Sequence, residues 1–282
     1  MQVGRGRVRP VICRTPGRYV SKPGAAANGD TRLERSVLVG TGSEYSGTRG
    51  DDAEHRVEKN ALRGAWRAFS RMSRRPVLAF LLVQLRGATA AQAVDPAMLR
   101  RLRWAWANPN SASVEYLSVV GEAAAAADGP ILECGSGLST VVVGVVAART
   151  GKPFITLEHS TWWSRHVRWS LKLSGVSAID YRVRPLRLYG DFDWYDPGSV
   201  PADIALVICD GPPATSRGGR YGLMPLLDDH LAPGARVVLD DYDRSSEVSV
   251  VSRWSDDYGW ALERAHVSEK GQFAILARTR SA

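Results

Sequence analysis

The feature that most constrains this chain is a regular alternation, beginning after residue 110, of short apolar runs with longer amphipathic ones. Strand-like runs at Pro130–Cys134, Phe154–Glu158, Ile179–Val183, Ile204–Asp210 and Ala235–Asp240 are separated by helix-like segments at Val141–Arg149, Trp162–Leu173, Tyr221–His230 and Ser245–Ser255. Strands alternating with helices imply right-handed crossovers and a mostly parallel sheet covered on both faces, which is a doubly wound α/β fold. The end of the chain breaks the rule. "GWALERAHVSEKGQFAILART" is two alternating runs joined near Glu269-Lys270-Gly271, the pattern of a β-hairpin, so an antiparallel strand is expected to close the sheet. Residues 111–282 are therefore expected to form one doubly wound domain.

The upstream sequence is of another kind. Residues 1–52 are rich in Gly, Arg, Ser and Thr and lack periodicity, so a disordered basic tail is expected. Residues 53–110 read as a helical segment: Val57, Leu62, Trp66, Phe69 and Met72 recur at helical spacing until Pro76 interrupts. A second helix is expected over Val77–Gln84 and a third from Pro96 to a stop at Asn108-Pro109. Two readings fit this segment: a cap packed on the core with solvated arginines, or a basic amphipathic surface making weak contact with an anionic membrane.

Charge separates the two regions. Residues 1–60 hold 11 Lys/Arg against 7 Asp/Glu, residues 61–110 hold 9 against 1, and residues 111–282 hold 17 against 21. The whole positive excess of +8 thus precedes residue 111, and a nucleic-acid partner for the core loses support. The run Val77–Val83 is far short of the roughly 20 residues a spanning helix needs. The first residues show no apolar core with a cleavage site, so no secretory signal is expected. Cys13, Cys134 and Cys209 are odd in number and far apart, which fits a reducing cytoplasm, with Cys134 and Cys209 as buried thiols.

In a doubly wound sheet, ligands bind beyond the carboxyl ends of the strands. Those ends carry Glu133, Glu158, Asp210 and the pair Asp240 and Asp241. After Glu133, Gly135 and Gly137 permit a tight turn and close backbone approach ahead of a helix N-terminus. A dinucleotide fingerprint would want a third glycine where Thr140 stands, and Glu133 would repel a pyrophosphate. Glu158, ending the second strand, suits a ribose, whose two hydroxyls a carboxylate can accept. A nucleoside without phosphates, carrying a positive group, satisfies all of these positions. S-adenosylmethionine has those features.

The ordered series "ILECGSG", "FITLEHS", "ALVICDGPP" and "LAPGARVVLDDYDR" resembles the motif series of class I S-adenosylmethionine-dependent methyltransferases over about residues 111–282. The resemblance implies that Glu133, Gly135 and Gly137 belong to the cofactor loop with the glycines flanking the methionine part. It further implies that Glu158 holds the ribose and that the stretch from Arg184 to Leu186 lies near the adenine. Asp210, ending the fourth strand beside the loop, is the expected catalytic residue as well as a cofactor contact. Asp210, Asp240 and Asp241 also resemble, in part, the magnesium ligands of the catechol O-methyltransferase group, which makes Mg2+ a candidate second cofactor; Asp241 stands where that group has an amide. The alternative is that Asp241 or Asp243 caps the following helix. Trp194, Tyr195 and Tyr221 are expected in loops above this edge, lining an acceptor pocket or simply packing. Trp162, His166 and Trp169 are expected to pack on the sheet from one helix face. The reaction expected is methyl transfer to a small-molecule acceptor at oxygen. The rivals are a nicotinamide-dependent oxidoreductase, disfavoured by Glu133 and Thr140, and a non-catalytic binding protein on the same fold.

Overall fold

The computed structural model describes residues 72–279. The basic tail expected over residues 1–52, and the helical positions Val57, Leu62, Trp66 and Phe69, lie outside them. Helix α1, described over residues 72–85, continues through Pro76 where an interruption was expected. An interior proline costs a helix about 3 kcal/mol through its missing N–H and its ring. Leu78, Leu81, Leu82 and Leu85, on one face of α1, are at most 2% exposed. Each buried leucine contributes about 1.5–3 kcal/mol, so packing outweighs the local penalty. Among the described residues no helix is long and apolar enough to cross a membrane.

The remaining cap helices are α2 (Ala90–Ala93), α3 (Pro96–Trp106) and α4 (Val114–Ala126). Asp95 starts α3 by accepting from the N–H groups of Ala97 and Met98, with Pro96 at the first helical position, and Ala107 ends it in the left-handed conformation. Its apolar side (Leu99, Leu102, Ala105, Trp106) is buried, while Arg100 and Arg101 face solvent. The sequence reading had no helix at Val114–Ala126, although Ser113 caps it through the Tyr116 N–H.

The sheet contains β1 (Ile131–Cys134), β2 (Phe154–Glu158), β3 (Asp180–Val183), β6 (Ile204–Cys209), β7 (Leu231–Leu239), β8 (Trp260–Ser268) and β9 (Gly271–Arg278). Their order is β3-β2-β1-β6-β7-β9-β8. The first five strands are parallel; β9 pairs antiparallel with both β7 and β8. The antiparallel strand therefore lies inside the sheet and its hairpin partner β8 forms the edge, a finer placement than the expected closing strand. The crossovers are α5 (Leu138–Thr150), α6 (Thr161–Leu173), α7 (Leu223–Leu227) and α8 (Ser245–Tyr258).

Alternation along the strands divides the core into two layers. Ile131, Phe154, Leu206, Ile208 and Val238 pack with α1 and α3–α6, whereas Leu132, Cys134, Ile155, Leu157, Val207, Cys209 and Leu239 pack with α7, α8 and a small hairpin. Cys134 and Cys209, register partners on β1 and β6, are both buried free thiols, as expected. The hairpin is β4 (Leu186–Tyr189) with β5 (Phe192–Tyr195), turning at Gly190, whose φ is +66°. It corrects the expectation of a loop at "DFDWYDP". Gly218 and Gly222 press against β5: a Cβ on them would come within 2.6 Å and 2.8 Å of Phe192. This close approach explains two of the three glycines of "RGGRYG"; the third, Gly219, has φ +53°.

Candidate functional site

The parallel pairing sets the strand ends side by side. Gly135 N–H donates to the Leu157 carbonyl, Asp210 N–H to Cys134 and Asp240 N–H to Cys209, extending the ladder past the strands to one rim. A cavity of about 710 Å³ opens there. Its walls include Gly135 and Ser136 after β1, His159 after β2, Asp210 and Gly211 after β6, and Asp240 and Asp241 after β7. Asn108 and Asn110 behind α3, and Lys270 and Gln272 of the terminal hairpin, complete them. Of the residues singled out by sequence, Gly135, Asp210, Asp240 and Asp241 face this cavity together. Glu133, Gly137 and Glu158 stand behind its wall.

Glu133 is 1% exposed. Its position on β1 directs it to the layer shared with its register partner Thr156, where it accepts from Ser139 Oγ at 2.7 Å and Thr156 Oγ1 at 3.1 Å. Burial pushes its carboxyl up from 4.5 to about 7, against the opposing hydroxyls of Ser139, Thr140 and Thr156. Through Ser139 it ties β1 to the first turn of α5, the helix that follows the glycine turn, and it does not line the cavity. Gly135 carries φ +88°, and a Cβ there would lie 3.0 Å from Gly211 N. Gly137 is extended, and a Cβ on it would meet nothing within 4 Å. Its N–H is already donated to Thr140 Oγ1 at 2.8 Å, which removes a donor that a pyrophosphate would need.

Glu158 accepts from Ser136 Oγ at 2.6 Å and from the Ser160 N–H at 2.7 Å. His159 Nδ1 lies 3.1 Å from Oε1, the oxygen that accepts from Ser160, while Ser136 bonds Oε2. Burial raises this carboxyl, but the contacts with His159, Ser136 and Ser160 outweigh it and hold the group below its usual value. Ser136 also shares a hydrogen bond with the Tyr181 hydroxyl at 2.8 Å. A ribose reaching Glu158 would take the place of the Ser136 hydroxyl, an exchange of like for like between hydroxyl donors.

The acidic end is organised by a residue that sequence reasoning missed. The Arg220 side chain is 2% exposed; its Nη2 donates to Asp210 Oδ1 at 3.2 Å, to Asp241 Oδ2 at 2.6 Å and to the Asp210 carbonyl at 3.2 Å. Its Nη1 donates to the Asp240 carbonyl. The Asp210 side chain keeps 32% of its surface exposed toward the cavity, yet enclosure by the strand ends and repulsion from Asp240 push its carboxyl well up, with Arg220 opposing. Asp240 is raised by burial and by Asp241. One oxygen from each of Asp210, Asp240 and Asp241 falls within 4.8 Å of the others, a spacing that alone would admit a divalent cation; the guanidinium already bonds one carboxylate oxygen of Asp210 and one of Asp241. Neither expected cap forms: α8 has no side-chain cap, Asp241 also pairs with Arg244 at 2.8 Å, and Asp243 accepts from the Gln272 N–H at 3.3 Å.

The aromatic expectations are redistributed. Trp194 is fully buried and Tyr221 is 7% exposed, both in the core, and of the three only Tyr195 reaches the cavity wall. Trp162 is 68% exposed, and its neighbour Trp163 takes the structural role, donating Nε1–H to the Ser136 carbonyl at 2.8 Å. Trp163 and Asn108 also line a second cavity of about 510 Å³ beside the first, walled by Trp106, Trp162, His166 and Trp169. Nothing in the spacing of "RGGRYG" marks Arg220. The one available signal was the need of three adjacent carboxylates for a countercharge.

No family model matches the chain, and no curated protein matches it. Solved structures similar to it include a precorrin-6y C5,15-methyltransferase from Geobacter metallireducens (14% identity, TM-score 0.47, covering 61% of this chain and 92% of that one). Others are a ribosomal protein L11 methylase from Lactobacillus delbrueckii (13%, TM-score 0.44, 60% and 81%) and an O-methyltransferase from Bacillus cereus in complex with SAH (13%, TM-score 0.44, 61% and 84%). The chemistry of the strand ends, not these distant likenesses, determines what the site can hold.

Proposed function

We propose that the protein is a class I S-adenosylmethionine-dependent methyltransferase, cytoplasmic, acting at an oxygen of a small-molecule acceptor. The observation that carries the reading is the rim cavity whose walls gather the glycine turn, His159 beside Glu158 and the Asp210 carboxylate. Its volume lies in the range of cofactor sites, about 300–1,000 Å³. Its walls carry four carboxylates (Asp210, Asp240, Asp241, Asp243) against three cationic side chains (Arg220, Arg244, Lys270). This mixed, slightly negative lining suits an amino-acid end that bears a carboxylate, an ammonium and a sulfonium.

When bound, S-adenosylmethionine supplies a methyl group already activated on sulfur. The chain has to orient it, exclude water and accept the acceptor's proton. Glu158, held ionised, is suited to receive two ribose hydroxyls, with Ser136 and His159 beside it. Gly135 and Gly137 leave the loop backbone bare for close approach. Asp210, with its carboxyl pushed upward and Arg220 fixing its orientation, is a stronger base than a solvated aspartate. The aromatic cavity sharing Trp163 and Asn108 favours a small, partly planar acceptor. A nicotinamide dinucleotide is disfavoured by the Gly137 N–H already spent on Thr140.

Calorimetric titration with S-adenosylhomocysteine tests the reading. Saturable binding with a rise in melting temperature is expected; no heat and no thermal shift at millimolar ligand would refute it.

A further inference from the structure

We propose that Arg220 permanently occupies the divalent-cation position formed by Asp210, Asp240 and Asp241, so that the protein takes no Mg2+ and its acidic rim works with a built-in organic cation. This rests on the assignment of the rim as the reaction site only for its consequence; the occupancy itself is read from the side chains.

A magnesium ion bonds its oxygens at about 2.0–2.1 Å and demands near-octahedral geometry. Asp210 Oδ1 and Asp241 Oδ2 are already taken by Nη2, at 3.2 Å and 2.6 Å, so an ion seeking both must compete with the guanidinium for the same oxygens. The guanidinium has no way to yield. Its remaining bonds go to the carbonyls of Asp210 and Asp240, one after β6 and the other after β7, and the side chain is 2% exposed. Arginine does not deprotonate in proteins, so no neutral form can step aside for an incoming cation. The buried Glu247, 0% exposed on the first turn of α8, adds a further negative charge acting on Arg220. A planar group that donates to both strand ends does what the metal would do: it neutralises the carboxylates and fixes where Asp210 points. Arg220 is then a positioning residue, and proton removal from an acceptor falls to Asp210 without a Lewis acid.

Manganese, followed by electron paramagnetic resonance and equilibrium dialysis, tests this on the full chain without any methyl donor. The wild type is expected to bind no Mn2+ at this site at millimolar concentration. Arg220→Met is expected to gain one bound Mn2+, lost again when Asp241→Asn is added. One tightly bound Mn2+ in the wild type, abolished by Asp241→Asn, would overturn the proposal, and so would a folded Arg220→Met protein that gains none. Should Arg220→Met not fold, Arg220→Gln takes its place with the same two outcomes. S-adenosylhomocysteine binding accompanied by one Mn2+ in the wild type would overturn this inference alone; no S-adenosylhomocysteine binding would overturn the methyl-donor reading alone.

Discussion

Glu133→Gln is expected to flatten the pH dependence of stability and to stabilise the protein above neutral pH. The native carboxyl is pushed from 4.5 to about 7 by burial. Between those values the native state keeps a proton that the unfolded chain has already released. Stability therefore falls as pH rises through this window; it is fullest below 4.5, where both states are protonated, and the loss is complete above about 7, where both are ionised. At about 1.4 kcal/mol per tenfold change in proton affinity, the displacement corresponds to about 3 kcal/mol. Glutamine keeps the shape and can accept from Ser139 or Thr156, but its amide must find a hydroxyl oxygen, at a cost of about 1 kcal/mol. A net gain of about 2 kcal/mol is expected at about pH 8. Urea denaturation of both proteins across this range isolates the group, because every other carboxylate is common to the two. Parallel curves would refute the reasoning, since they would mean that Glu133 ionises as it does in water.

Gly135→Ala should cost about 1–3 kcal/mol in thermal or chemical unfolding, since φ is +88° and the new Cβ would lie 3.0 Å from Gly211 N; a neutral result would show the turn to be open. Asp210→Asn should keep S-adenosylhomocysteine binding while lowering methyl transfer by about 10²- to 10⁴-fold. That is read with isotopically labelled donor in a mass-shift screen of metabolite mixtures, and unchanged turnover would remove Asp210 from the chemistry.

The centre of the sheet was legible because β1, β2, β6 and β7 are apolar runs that end at or beside glycine or a carboxylate; Phe154–Glu158 falls where periodicity put it. What escaped were features set by contact. Helix α1 runs through Pro76 because four leucines reward it, and a local rule for proline carries no knowledge of those leucines. The β4–β5 hairpin was hidden because Phe192 and Trp194 are held by glycines some 25–30 residues later in the chain, and such packing leaves no periodic trace. The acidic strand ends were readable as residue types but not as directions. The wall begins at Gly135, just past the end of β1, and Glu133, two positions earlier, does not reach the cavity. Arg220 illustrates the same limit from the other side, since its meaning exists only once β6 and β7 bring three aspartates around it.

On the proposed reading, the ends of the parallel strands grip a methyl donor through its ribose and its cationic end. Calorimetric comparison of S-adenosylhomocysteine binding to the wild type and to Glu158→Gln tests it most directly. Loss of one or two hydrogen bonds to a charged acceptor is worth about 1.5–3 kcal/mol, so affinity should fall about tenfold or more with the fold unchanged by circular dichroism. Equal affinities for the two proteins, or no binding to either, would contradict the account.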